Sequence, residues 1–249
     1  MTKFALTTPV PLDHLLKFLA TTQGREKTYR GVQYFARFWV WYLIRQGAAK
    51  ESIQKWDDLK KSLGVGRKLF RLAKPLEAGQ SAIRALENSD EVLRFTQAGR
   101  NAAYSAYYVC EMLVWLHQVG FRKVTNQKQI GDMGHKFWTA ALSFSIVSSL
   151  YSLRRVILHE ELLERRNRAA IAGQGKDAAI QGADYKVEKK TLEKERSTVV
   201  RQLVLDGIDI IIPLSSLGWL NVDEGVVGLA GVITSLMAAQ SQWKKVNPK

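Results

Sequence analysis

FWTAALSFSIVSSLYSLRR, residues 137–155, is the stretch whose reading decides the fold. Phe137 to Leu153 is 17 residues without a charge, with Trp138 at its start and Arg154-Arg155 at its end. An apolar helix of roughly 20 residues crosses a bilayer, so this one stands at the short limit. Serines at 143, 145, 148, 149 and 152 lower its hydropathy, and a buried core helix in a soluble protein is the competing reading. A second run, Gly225 to Trp243, is 19 residues long and closes on Trp243-Lys244-Lys245. Aromatic and basic residues at the ends of apolar runs suit a lipid–water interface. Just before it, Gly207 to Leu220 is apolar except for Asp209. Only five prolines occur in 249 residues, and only Pro75 and Pro213 are interior, which favours long helices. The expectation is an all-α membrane protein with an amphipathic interfacial helix and C-terminal apolar helices.

The net charge of +14 points to an anionic partner, an acidic membrane surface or a nucleic acid. No recognised nucleic-acid module accompanies it, so anionic membrane lipid is the expected partner and nucleic acid is not. One cysteine, Cys110, rules out an intramolecular disulfide and reads as a buried small side chain. The opening MTKFALTTPVPLDHLL lacks a basic segment followed by an apolar core, so no secretory signal is expected.

Four regions follow. Residues 1–98 form a helical region containing the aromatic cluster Tyr34, Phe35, Phe38, Trp39, Trp41 and Tyr42 and, at about 64–86, an amphipathic membrane-remodelling segment. Residues 99–158 form an apolar helical region, 159–200 a charged solvent-exposed connection, and 201–249 a C-terminal apolar hairpin or membrane anchor. In such a hairpin Arg201 and Lys244-Lys245 share one face. Lysine and arginine flank nearly every apolar run on both sides, so charge bias assigns no topology.

Residues 64–86 read GVGRKLFRLAKPLEAGQSAIRAL. At about 100° per residue, Val65, Leu69, Leu72, Leu76, Gly79, Ile83 and Leu86 form one apolar stripe. Arg67, Arg71 and Lys74 lie opposite, with Lys68 at the border. From Lys60 to Lys74 there are six basic residues and no acidic one. An interfacial helix needs that arrangement, with the apolar face among acyl chains and the basic face on phosphates. The expected membrane-binding residues are Arg67, Lys68, Leu69, Phe70, Arg71, Leu72, Lys74, Leu76, Ile83 and Leu86. An ordinary surface helix packed on its own domain is the alternative. Pro75 breaks or kinks the helix near Lys74.

Catalytic and metal patterns are missing. His14, His117, His135 and His159 are scattered without zinc-ligand spacing. HEELL at 159–163 has leucine where a second histidine belongs, and GQGKD at 173–177 lacks the leading glycine and the magnesium-binding Ser or Thr of a phosphate loop. No nucleophile stands with a base. A non-enzyme without cofactor or metal is expected.

Two stretches resemble the peroxin-eleven family, which elongates and proliferates peroxisomes. The first is GREKTYRGVQYFARF, where Gly24, Arg25, Glu26, Lys27, Arg30, Gln33, Tyr34 and Arg37 match the family pattern. The second, GRKLFRLAKPLEA at 66–78, is most similar to fungal members, and DGIDIIIPLSSLGWL followed by a Gly-rich tail is a weaker match. The resemblance implies a peroxisomal membrane protein whose amphipathic helix tubulates the membrane before fission. It also implies self-association, fission factors and a dynamin-related GTPase as partners, and in some members a pore for small metabolites. Lys244-Lys245 are followed by VNPK, which does not reproduce the dilysine ending of some animal members, and no Ser-Lys-Leu ending points to matrix import.

A channel for small metabolites is the competing function, because Glu111, Asp206 and Asp209 lie in or beside apolar runs. Self-association is expected through small-residue faces: Ala141, Ser145 and Ser149, and Gly225, Gly228 and Gly231.

Overall fold

The computed structural model describes residues 11–172 and 178–248. The first ten residues and the GQGKD string lie outside the described residues. Among those described, every regular element is a helix: α1 (Pro11–Ala20), α2 (Thr22–Arg45), α3 (Lys50–Leu69), α4 (Lys74–Ala85), α5 (Glu91–Gln118), α6 (Gln127–Ala172), α7 (Ala178–Asp209), α8 (Ile211–Ser216) and α9 (Glu224–Val246). The divisions drawn at 98/99, 158/159 and 200/201 fall inside α5, α6 and α7, so they separate stretches of continuous helix.

Proline sets two of the breaks. Its ring clashes with the carbonyl four residues back. Pro75 therefore ends the preceding helix before Arg71, and it sits in the first turn of α4, where a missing N–H costs nothing. Pro213 acts in the same way on Asp209, the last residue of α7. At Gly218 the chain turns with φ 70°, a conformation natural only to glycine, before α9 begins.

Sequential helices pair back to back: α2 with α3, α4 with α5, α5 with α6, and α6 with α7, while α9 returns to lie along α2. The α2–α9 contact is a close one. A Cβ at Gly228 would stand 2.7 Å from the Phe38 backbone nitrogen, one at Gly231 2.1 Å from the Tyr34 ring, and one at Gly225 2.5 Å from the Trp41 ring. Larger residues would force the helices apart. Arg37 and Arg45 close the end of this pair by binding Glu224 and Asp223. These three glycines are thus occupied within the chain. Ala141, Ser145 and Ser149 of α6 are likewise buried inside it, with Ser145 donating to Asp206 at 2.6 Å. The small-residue faces expected to join copies are corrected accordingly: each already packs on the chain's own helices.

Of the described helices, α6 alone is long and apolar enough to cross a membrane, and most of its apolar window is not buried by the rest of the chain. Val147 and Leu150 point outward while Leu142 and Ser145 point in. The far half of α6 leaves this region and zips against α7 through Val156, Leu163 and Leu192, with Arg196–Glu160 and His159–Glu188 contacts outside. Arg201 of α7 reaches the Met237 carbonyl and Ser241 on α9, one turn from Lys244-Lys245, so these cations do share one end of the molecule.

Several large apolar side chains lie outside and several charged ones lie inside. Leu76, Phe95, Phe121, Leu150 and Leu236 are exposed, whereas Glu26, Arg30, Arg67, Asp206 and Asp209 are buried. Charged residues are almost never fully buried in soluble folds unless paired. A lipid-facing exterior accounts for the exposed apolar side chains, and mutual pairing for most of the buried charges.

Candidate functional site: a basic chamber behind the amphipathic segment

The motif on α2 supplies one wall of that interior. Thr21 caps α2 by accepting from the Gly24 N–H, and a Cβ at Gly24 would stand 2.1 Å from the Phe18 carbonyl oxygen, so α1 and α2 meet only over glycine. Arg25 donates to the Leu19 and Ala20 carbonyls at 2.7 and 3.2 Å and satisfies the end of α1. Residues 26, 30, 33, 34 and 37 then recur at helical spacing along the face turned toward the other helices. Glu26 binds Lys27 at 2.9 Å and Arg67 at 2.8 Å. Arg30 donates to Asp209 at 2.5 Å, and Thr234 donates to the same oxygen at 2.7 Å. Gln33 accepts from Arg67, Tyr34 packs under Arg30 and on Gly231, and Arg37 grips Glu224 through two nitrogens.

The amphipathic segment supplies the second wall, and here the expectation needs correction. Much of the apolar stripe points outward: Leu69, Leu76, Ile83 and Leu86 are exposed, Leu76 to 79%, while Val65, Leu72 and Gly79 are half-buried. The basic side turns largely toward the chain's own polar groups, with Lys74 left at the surface. Arg67 is 7% exposed and is held by Glu26 and Gln33. Arg71 binds Glu111 at 2.5 Å and donates to the Tyr107 hydroxyl at 3.2 Å. Lys68 reaches Gln118 at 2.9 Å, and Lys74 pairs with Glu77 at the surface. Phe70 stacks on Tyr29, and Leu72 is half-buried. The physical reason is the supply of buried carboxylates on α2 and α5. A guanidinium beside a carboxylate is held more strongly where both are largely shielded from water than at an open surface. Outside this cluster, Lys60 and Lys61 both lean on Asp57.

The third wall comes from α5 and α7. Glu111, Asp206 and Asp209, the three acids singled out within apolar runs, all face inward here, Asp206 accepting from Ser145 and Gln202. The sequence reading missed Arg100, Tyr104 and Tyr107. With Glu111 they recur at four- and three-residue steps through an otherwise apolar helix, a polar stripe that was readable in principle. Arg100 lies over Tyr104, and its Nε is buried without a hydrogen-bond partner among the described residues.

Together the walls line a half-open cavity of about 1390 Å³, bordered by ten lysine and arginine side chains and six carboxylates. Exposed side chains at its rim, Lys61, Ser81 and Gln118, connect it to solvent. Burial by itself would raise the Glu26 carboxyl, but Lys27, Arg67 and Arg71 outweigh it and hold it well below the ordinary carboxylate range. Among the described residues no group of histidine, cysteine and carboxylate side chains is placed to hold a metal ion.

The two sequence motifs are therefore one structural unit, joined where Glu26 and Gln33 take Arg67. Comparison with known proteins agrees in extent. The family described as Peroxisomal biogenesis factor 11 (PEX11) matches residues 12–243. The Peroxisomal biogenesis factor 11 of Schizosaccharomyces pombe is 25% identical over 240 residues, covering 92% of this chain and 94% of that protein. Human Peroxisomal membrane protein 11B is 25% identical over 259 residues, covering 95% and 100%. Peroxisomal membrane protein PMP30B of Candida boidinii is 27% identical over 247 residues, covering 92% and 93%. No solved structure matches significantly.

Proposed function

Because the chain belongs to the Peroxisomal biogenesis factor 11 family, we propose that it elongates the peroxisomal membrane by seating the outward apolar stripe of α3 and α4 in one leaflet, ahead of organelle fission. Residence in the peroxisomal membrane and a part in peroxisome biogenesis come with that membership. We read it as a non-enzyme that works on the bilayer itself. By the same resemblance it self-associates and meets fission factors and a dynamin-related GTPase on the elongated tubule.

The observation that carries the reading is the exposure of Leu69, Leu76, Ile83 and Leu86 beside an interior that sequesters the basic residues. Completely burying such a side chain is worth roughly 1.5–3 kcal/mol, so four partly exposed ones supply on the order of 5 kcal/mol toward insertion. A wedge of that kind in one leaflet expands it and favours positive curvature. The driving force is apolar, with charge acting inside the bundle.

The test is Leu69→Ser, Leu76→Ser and Ile83→Ser combined in the full chain. These side chains are already exposed, so the fold is retained. The variant is expected to reach peroxisomes and to leave them spherical, and in proteoliposomes to lose tubulation. Tubules of parental length in both settings would refute the wedge.

A second reading, a membrane channel for small metabolites, is favoured by one observation, the charged cavity inside an apolar exterior. Solute flux through planar bilayers holding the full chain separates it from the first.

A further inference from the structure

We propose that the chamber holds a doubly charged phosphate group, seated where α2, α3 and α5 meet and gripped by Lys27, Arg67, Lys68 and Arg71. The site stands whether or not the chamber conducts solutes and whether or not α4 bends the membrane.

The argument is one of charge balance. At this junction Lys27, Arg30, Arg67, Lys68 and Arg71 face Glu26, Glu111 and Asp209. Asp209 is taken by Arg30, Glu111 by Arg71, and Glu26 serves both Lys27 and Arg67. Lys68 meets no carboxylate within ion-pair distance among the described residues, only the neutral amide oxygen of Gln118. Two positive charges therefore stand over, in a recess backed by the buried ring of Tyr107 and the partly buried ring of Trp138.

A polar recess in a largely apolar bundle does not screen such a surplus as bulk water does. The C-terminus of α3 offsets part of it, since Arg67 and Lys68 lie in its last turn and Arg71 donates to the Arg67 carbonyl. A helix end is equivalent to about half an elementary charge, so it leaves most of the surplus of two unanswered. A phosphate monoester carries close to two negative charges at neutral pH and three acceptor oxygens. Arginine forks and lysine ammonium groups are the donors that such oxygens select. A cavity of about 1390 Å³ accepts a phosphate together with whatever bears it. The bearer is either a soluble molecule or a lipid whose headgroup enters from the membrane side, and both present the same chemistry to these residues.

The experiment uses the full chain in phosphatidylcholine nanodiscs, titrated with inorganic phosphate and followed by calorimetry. A parallel series contains phosphatidic acid, whose exposed phosphate monoester is read by its phosphorus resonance. Lys27→Gln and Lys68→Gln each remove one of the surplus charges and leave Glu26, Glu111 and Asp209 each with a guanidinium partner, so the bundle stays folded. Lys186→Gln, on the exposed part of α7, is the control. Saturable binding, one phosphate per chain, is expected, weakened at least tenfold by either chamber variant and unchanged by the control. If phosphatidic acid competes with phosphate and its resonance shifts only when Lys68 is present, the bearer is a lipid. If phosphate binds equally with and without it, the bearer is soluble. The proposal is overturned if neither probe binds saturably, or if Lys27→Gln and Lys68→Gln bind as the parent does.

Discussion

Replacing Arg67 by methionine isolates the buried pair that joins the two motifs. Methionine keeps the length of the side chain and removes its charge. Glu26 would then stay buried with Lys27 as its remaining partner, 2.9 Å away. Breaking one side of a buried ion pair costs roughly 3–5 kcal/mol, because the other charge is left without compensation. Lys27 retains part of that compensation, which places the cost near the lower bound, about 3 kcal/mol. For a chain of this size 1 kcal/mol moves Tm by about 2–4 °C, so a fall of about 6–12 °C is expected. The double variant Glu26→Gln with Arg67→Met removes both charges and should recover at least half of the loss, since replacing a whole buried pair is often close to neutral. The assay is tryptophan-fluorescence unfolding of the full chain in phosphatidylcholine nanodiscs, where no anionic lipid is present. The reasoning is refuted if Arg67→Met leaves Tm unchanged while weakening attachment to anionic vesicles. That result would put Arg67 on lipid phosphate and off Glu26.

Two further outcomes follow from the packing. Gly228→Val should separate α2 from α9, because its Cβ would stand 2.7 Å from the Phe38 backbone, and at least the 1–3 kcal/mol typical of overpacking is expected as a lowered Tm; a parental Tm would mean that the two helices do not touch there. Alkaline carbonate should leave the protein in the membrane pellet, because the apolar window of α6 faces outward, and quantitative release would exclude a spanning α6.

Helix content, the break at Pro75, the apolar stripe and the family resemblance were all legible in residue order. Each depends on neighbours a few positions apart: the period of 3.6, the clash of Pro75 with the carbonyl four residues back, and the spacing of the Gly24–Arg37 motif. The partners of the charged residues were not legible. On a helical wheel Arg67 and Arg71 form a basic face, and a wheel has no means of saying whether that face meets water, phosphate or protein. Glu26 lies 41 residues from Arg67 and Asp209 lies 179 from Arg30, so only the folded arrangement brings them within hydrogen-bond reach. The same holds for the glycines at 225, 228 and 231, whose small size announces a close contact without naming the helix that makes it. The sequence by itself determined which surfaces are apolar, small or charged, because those are properties of single side chains repeated at helical spacing. Tertiary structure alone decided what each surface faces, because ion pairs and close helix contacts are set by distances in space between residues far apart in the chain.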